Sequence, residues 1–267
     1  MNPIVGLVAG NGKLPLTLAA NIRAAGYRLV TIGHIGETRK DLQPYSDLME
    51  WVHIGELGRI IEILRAERVE KVVFIGGVSK KHFFSKAKPD ARAIQLVLRL
   101  TDKKDDAILR AIAQEIESEG MEVISPLIFL EDHMAPQGVL TERSPTEREE
   151  KDIQFGWAMA KRLGELDVGQ TVVVKDQIVL ALEAIEGTDA AIRRGGKLGK
   201  GGVVVVKVVK PSQDLRLDLP VIGPTTIHTL NKAQASALAI ESGKTIVVEK
   251  DRTIQEANQN RLCIVGI

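Results

Sequence analysis

The sequence predicts an α/β protein of two domains: a doubly wound parallel-sheet domain, then a mixed α+β domain. Three observations predict it. The first half alternates short apolar runs with helical stretches. The second half carries apolar runs in close succession. A stretch holding Pro136, Gly138 and Pro145 separates the two. A chain of 267 residues is long for one compact domain and comfortable for two.

The elements of the first half follow in order. Ile4 to Ala9 is an apolar run ending at Gly10, the pattern of a buried parallel strand. Leu14 to Ala25 reads as a helix stopped by Gly26, and Arg28 to Ile32 as a second strand. Met49 to Ile54 is a short third strand. Leu57 to Glu67 is a helix with Ile60, Ile61 and Leu64 on one face. Val72 to Ile75 is a strand stopped by Gly76 and Gly77. Asp105 to Glu119 is an amphipathic helix ended by Gly120, and Glu122 to Ile124 a last strand. This rhythm makes residues 1–131 a Rossmann-like domain.

Residues 132–145 read as a linker. Ser144 is then the N-cap, and Pro145 the first position, of a helix running from about Thr146 to Leu163. Residues 146–267 form the second domain. Thr171 to Val174 and Ile178 to Glu183 flank Lys175-Asp176-Gln177 as a hairpin, and Val203 to Val208 is a third strand. Thr225 to Ala239 and Thr253 to Asn258 read as helices, with strands at Thr245 to Val248 and Leu262 to Val265.

Composition narrows the function. Hydrophobic residues make up 44% of the chain, ordinary for a globular fold. The formal net charge of +1 lacks the basic excess of nucleic-acid binders, so no nucleic-acid partner is expected. The single cysteine, Cys263, cannot form an internal disulfide and reads as a core residue of its apolar run. The first residues lack a signal-peptide pattern, and no apolar run reaches the about 18 residues needed to cross a bilayer, so a cytoplasmic address is expected. The five histidines, His34, His53, His82, His133 and His228, show no zinc-ligand spacing.

Five motifs stand where chemistry is expected. Gly10-Asn11-Gly12-Lys13-Leu14-Pro15 follows the first strand, where glycines admit a close ligand and a helix N-terminus favours phosphate, so it reads as a phosphate or nucleotide contact or as a bare structural turn. Pro15 stands where a dinucleotide fingerprint has its third glycine, and the Gly-Lys-Ser/Thr ending of a P-loop is missing. Gly76-Gly77-Val78-Ser79-Lys80-Lys81 ends another strand at the edge where such sheets bind ligands, with Lys80 or Lys81 suited to phosphate or else solvated in a plain loop. Asp105 and Asp106 open a helix. They suit either a divalent cation or the capping of that helix. Glu186-Gly187-Thr188-Asp189 precedes Arg193 and Arg194, as a helix cap or a polar site for phosphate or carboxylate. Finally, Lys207, Lys210 and Arg216 lead to Asp218, a carboxylate between Leu217 and Leu219 that needs a partner if buried and is otherwise an exposed turn residue.

In their order and spacing these motifs resemble the LpxI-type UDP-2,3-diacylglucosamine pyrophosphatases of lipid A biosynthesis. The resemblance runs over nearly the whole chain. It rests on Gly10 to Pro15, Asp105 to Arg110, Leu166 to Val174, Glu186 to Ala190, Lys210-Pro211, Asp218-Leu219-Pro220 and Gly223. It implies two α/β-type domains with the substrate held between them. It implies hydrolysis of UDP-2,3-diacylglucosamine to UMP and 2,3-diacylglucosamine 1-phosphate, with magnesium or another divalent ion such as manganese.

On that resemblance Asp218 and Asp189 are the expected catalytic carboxylates. Asp218, Asp105 and Asp106 are the expected metal ligands. Gly10, Gly12, Gly76, Gly77, Lys80, Gln170, Thr188, Arg193 and Lys210 are the expected substrate contacts. A diacylated substrate implies peripheral contact with lipid of the inner membrane at its cytoplasmic face, and a homodimer is the common-case expectation. Residues alone leave two rivals open: another transferase of UDP-sugar or nucleotide metabolism, and a non-catalytic lipid or nucleotide carrier. The resemblance places the hydrolase ahead of both.

Overall fold

A computed structural model describes residues 3–78, 87–101, 105–211 and 213–267, with Asp105 placed by its backbone alone. The chain divides into two compact units. One comprises residues 1–131 with Asp214–Asp218, and the other Asp132–Gln213 with Leu219–Ile267. The expected α/β class holds in both.

In the first unit five parallel strands form one sheet: β1 (Ile4–Ala9), β2 (Arg28–His34), β3 (Leu48–Val52), β4 (Lys71–Ile75) and β5 (Glu122–Val123). Their order is β3-β2-β1-β4-β5, so the strand order reverses between β1 and β4. Val8, Val30, Ile32, Val52 and Val72 pack under α2 (Leu57–Ala66), α3 (Ala91–Arg99) and α4 (Asp105–Glu117). Val5, Leu7 and Val73 alternate with them and are also fully buried. They serve the other face, because successive strand residues point to opposite sides and α1 (Leu14–Ala24) packs on β1, β2 and β4.

Helix α3 was not anticipated. Asp90 caps it by accepting from the Ala93 N–H at 2.9 Å, and Ala93 and Leu96 bury its inner face.

In the second unit a six-stranded mixed sheet has the order β6-β13-β11-β9-β7-β8. Its strands are β6 (Gly138–Val139), β7 (Thr171–Lys175), β8 (Ile178–Leu182), β9 (Val203–Lys207), β11 (Ala235–Ile240) and β13 (Cys263–Gly266). The expected hairpin is β7–β8, while β9, β11 and β13 run parallel. A separate parallel pair joins β10 (Val221–Ile222) to β12 (Ile246–Val247). The two faces of the large sheet alternate residue by residue. Val172, Val174, Val204, Val206, Ala237, Ala239 and Cys263 pack against α5 (Glu147–Glu165). Val173, Val203, Val205, Leu238, Ile240 and Ile264 pack against α6 (Thr188–Gly199), α7 (Pro224–Lys232) and α8 (Lys250–Gln259). Cys263 is buried as expected, and burial pushes its thiol pKa up.

Three expectations need correction. The helix expected over Thr225 to Ala239 stops at Lys232, and Ala235–Ile240 is a central strand. Gln234, in the left-handed region at φ 51°, makes the turn between them. Residues 132–145 are built into the second unit rather than linking to it: β6 pairs with β13, and the Ala135 N–H donates to the Thr245 carbonyl at 2.8 Å. The cap of α5 is Thr146, not Ser144. Its hydroxyl accepts from the Glu149 N–H while Glu149 accepts from the Thr146 N–H, a reciprocal capping box. Among the described residues, no helix is long and apolar enough to cross a membrane.

Candidate functional site

In an open parallel sheet, ligands bind beyond the carboxyl ends of the strands where the order reverses. In the first unit that place lies past β1 and β4, and both glycine motifs converge there. The Gly10 N–H donates to the Ile75 carbonyl at 2.8 Å, and the Asn11 N–H to the Gly77 carbonyl at 2.8 Å. A methyl on Gly10 would lie 2.6 Å from the carbonyl carbon of Gly76. These glycines therefore serve first to let two backbones touch. Gly12 differs: its φ is 95°, and nothing lies within 4 Å of where a Cβ would stand. It leaves the turn open just before α1, whose N-terminus has no side-chain cap from Lys13.

The neighbouring strand end is tied to the same turn. The Thr38 hydroxyl accepts from the His34 N–H at 2.8 Å and donates to the Ala9 carbonyl at 2.5 Å. The Asn11 side-chain amide donates to Glu37 at 2.8 Å. His34 is buried, and its Nδ1 has no hydrogen-bond partner among the described residues. Burial lowers the His34 pKa, against the opposing charge of Glu37, so the ring is neutral at pH 7.

The second unit gathers polar groups at the N-terminus of α6. Gly187 caps this helix without a side-chain bond, leaving its first amides to polar neighbours. The Thr188 hydroxyl donates to Glu183 at 2.8 Å, and the Gln170 N–H reaches the other Glu183 oxygen at 3.4 Å. The Lys207 ammonium, at the end of β9, lies 3.5 Å from the Thr188 hydroxyl and 3.3 Å from the Val221 carbonyl. Lys207 and Glu183 are both buried. Gln170 Oε1 is buried without a hydrogen-bond partner among the described residues. Thr188 and Gln170, two of the expected substrate contacts, both meet Glu183 here. Lys207 was read only as one of several anion-friendly cations, and Glu183 was taken for a strand end. Their pairing depends on β7, β8 and β9 lying side by side.

The other expected residues are placed as follows. Asp189 sits half-buried in the first turn of α6, and Arg193 is exposed on the same helix. Lys210 is engaged by Asp167 at 2.8 Å. Asp106 is ion-paired with Arg110 at 2.6 Å. The Asp105 side chain and Lys80 lie outside the described residues.

Asp218 is exposed, so the reading of a buried carboxylate between two leucines does not apply. Leu217 packs on the core of the first unit, whereas Leu219 is buried and belongs to the second. Just before Asp218, Arg216 binds Asp214 at 2.8 Å and Glu117 at 2.9 Å, anchoring the 214–218 segment within the first unit. The Arg216 hydrogen bonds hold the Asp214 pKa below its ordinary value despite burial.

Among the described residues, no group of three or more His, Cys, Asp or Glu side chains is placed to hold a metal ion. An all-protein cage is thereby missing among them. Magnesium bound through one carboxylate plus substrate phosphates needs no such cage.

Fold and site together define a two-unit α/β protein with a glycine-rich turn where the strand order reverses in one unit and a helix N-terminus beside a buried lysine in the other. The LpxI N-terminal domain family matches residues 4–133, and the LpxI C-terminal domain family matches residues 136–265. The chain is 36% identical over 276 aligned residues to a Caulobacter vibrioides protein named UDP-2,3-diacylglucosamine pyrophosphatase LpxI, covering 98% of this chain and 97% of that one. The chain belongs to the LpxI family.

Its likeness to solved structures is slight. One is the ADP complex of N5-carboxyaminoimidazole ribonucleotide synthetase, with 13% identity, a TM-score of 0.30, and coverage of 73% of this chain and 45% of that one. Another is the biotin carboxylase domain of a thermophilic 2-oxoglutarate carboxylase bound to ADP, with 12% identity, a TM-score of 0.28, and coverage of 65% and 35%. The chain spans less than half the length of either.

Proposed function

We propose that this protein hydrolyses the pyrophosphate of UDP-2,3-diacylglucosamine in lipid A biosynthesis. The full-length likeness to a pyrophosphatase of that name carries the reading. Water adds across the P–O–P anhydride. One phosphoryl group keeps the oxygen of water and the other keeps the bridging oxygen, giving UMP and 2,3-diacylglucosamine 1-phosphate.

The chain's own groups have separable tasks. The turn at Gly10 to Gly12 receives the nucleotide, because its backbone is open at Gly12. In the second unit, Lys207 and the uncapped amides of α6 favour phosphate oxygens in surroundings where charge is weakly screened. Thr188 is aimed by Glu183, and Gln170 Oε1 offers an acceptor to a sugar or amide donor. Asp218 would orient the attacking water or hold magnesium, or manganese in its place. When bound, such an ion offsets the charge of the pyrophosphate. The diacyl substrate brings the protein to the cytoplasmic face of the inner membrane as a peripheral visitor.

The test is release of UMP from UDP-2,3-diacylglucosamine by the purified protein with magnesium, beside Asp218→Ala and a chelator. Release that fails in both controls is the expected result. A folded, magnesium-supplied protein that releases no UMP overturns the hydrolase. Release unaffected by chelator overturns the metal role, and undiminished release by Asp218→Ala overturns the role of that carboxylate.

A further inference from the structure

We propose that Glu37 recognises the ribose hydroxyls of the uridine nucleotide and sets a preference for ribonucleotides over 2′-deoxyribonucleotides. The inference rests on the nucleotide assignment above and names the residue that reads its sugar. The sequence gives Glu37 no special mark: β2 ends in Gly33-His34 without an acidic residue, and Glu37 follows three positions later.

Backbone geometry brings it back. The Glu37 N–H donates to the His34 carbonyl at 3.0 Å, and the Thr38 N–H donates to the same carbonyl at 2.9 Å, closing a tight turn. The Thr38 hydroxyl fastens that turn to Ala9, the last residue of β1. Asn11, inside the glycine turn, then donates its side-chain amide to Glu37 Oε2 at 2.8 Å. Glu37 is thus a half-buried carboxylate held beside the turn that follows β1, next to the point where the strand order reverses.

In dinucleotide-binding sheets an acidic residue near the end of the second strand takes the ribose hydroxyls, while the first turn takes the phosphates. Here the acidic residue arrives by way of a turn rather than at the strand end, and Asn11 couples it to the first turn. A carboxylate has about four acceptor sites on two oxygens, so bonds to neighbours such as Asn11 are compatible with accepting hydroxyls as well. A 2′-deoxyribose lacks one of those donors. A purely structural Asn11–Glu37 bond would influence all nucleotides alike.

The experiment is calorimetric titration of the full chain, and of Glu37→Gln and Glu37→Ala, with UMP and 2′-deoxy-UMP. Circular dichroism verifies that each protein is folded. Wild type is expected to bind UMP about tenfold more tightly than 2′-deoxy-UMP, in keeping with one hydrogen bond to a charged group. Glu37→Ala is expected to weaken UMP more than 2′-deoxy-UMP, so that the two nucleotides bind alike, with Glu37→Gln between wild type and Glu37→Ala. Equal binding of both nucleotides by wild type overturns the role of Glu37 and leaves the nucleotide reading standing, without needing any variant to fold. Equal loss of both nucleotides in the variants also overturns it. Folded wild type that binds neither nucleotide overturns the nucleotide reading itself.

Discussion

Gly10 and Gly76 bring the ends of β1 and β4 into backbone contact, with no room for a side chain at either residue. A Cβ on Gly10 would stand 2.6 Å from the Gly76 carbonyl carbon, and one on Gly76 would stand 2.6 Å from the Asn11 carbonyl oxygen. Both obstacles are backbone, so neither can be relieved by a rotamer change. Gly10→Ala is expected to destabilise the first unit by about 3 kcal/mol, the upper part of the overpacking range. Gly12→Ala meets no atom and pays only for its positive φ, about 1–2 kcal/mol. Urea denaturation of both variants checks the order. A Gly10 variant no less stable than the Gly12 variant would show that these strand ends can separate without cost.

Lys207 distinguishes a functional buried charge from a structural one. Its ammonium lies 3.5 Å from the Thr188 hydroxyl and 3.3 Å from the Val221 carbonyl, and removing one member of a buried charged cluster is destabilising. Lys207→Met is therefore expected to lower the thermal midpoint while the protein stays folded at the assay temperature. If the ammonium serves a phosphate in the transition state, UMP release should fall by about 10²-fold or more. Steady-state kinetics beside a melting curve separate the cases. Unchanged kcat/KM would make Lys207 a packing residue that happens to lie beside Thr188.

Thr188→Val removes the hydroxyl that donates to the buried Glu183 and keeps the shape of the side chain. Loss of one partner of a buried charged acceptor costs about 1–3 kcal/mol. Helix α6 begins at this residue, so its first turn should exchange amide hydrogens faster in the variant. Unaltered stability and exchange would mean that Glu183 finds other donors.

The sequence made most elements legible because their patterns were strong. Ile4–Ala9 was a short apolar run bounded by Gly10, and Leu57–Ala66 carried a clear apolar helical face. Ala235–Ile240 was misread because Ala-Ser-Ala-Leu-Ala-Ile has helical propensity. Its strand state comes from burial between β9 and β13, and Gln234 supplied a turn that no glycine announced. The glycine motifs were legible as strand-end turns, but their mutual contact required knowing that β1 and β4 are neighbours. Glu183 and Glu37 were invisible for a related reason. Each gains its position from a residue 5 to 26 places away, Thr188 and Asn11 respectively.

The start of α5 should make stability depend on acidity. Glu149 is buried and accepts from Arg143 at 2.8 and 3.0 Å and from the Thr146 N–H at 2.8 Å. Burial alone would raise its pKa. The hydrogen bonds from Arg143, Thr146 and Ser236, with the Arg143 charge, outweigh burial and lower it to about 2. A carboxyl whose folded pKa lies below its unfolded value stabilises the fold fully above the unfolded value, 4.5 for glutamate. That contribution, on the order of 3 kcal/mol, is lost as pH falls from 4.5 towards about 2. Glu149→Gln lacks this titration, so it should be less stable than wild type at pH 7 and approach wild type at pH 3. Urea unfolding of both proteins at pH 7, 4.5 and 3 measures the gap. A gap that stays constant with pH would mean that Glu149 is not the titrating group, and that the Arg143 contacts to the Arg261 and Ser236 carbonyls hold this corner by themselves.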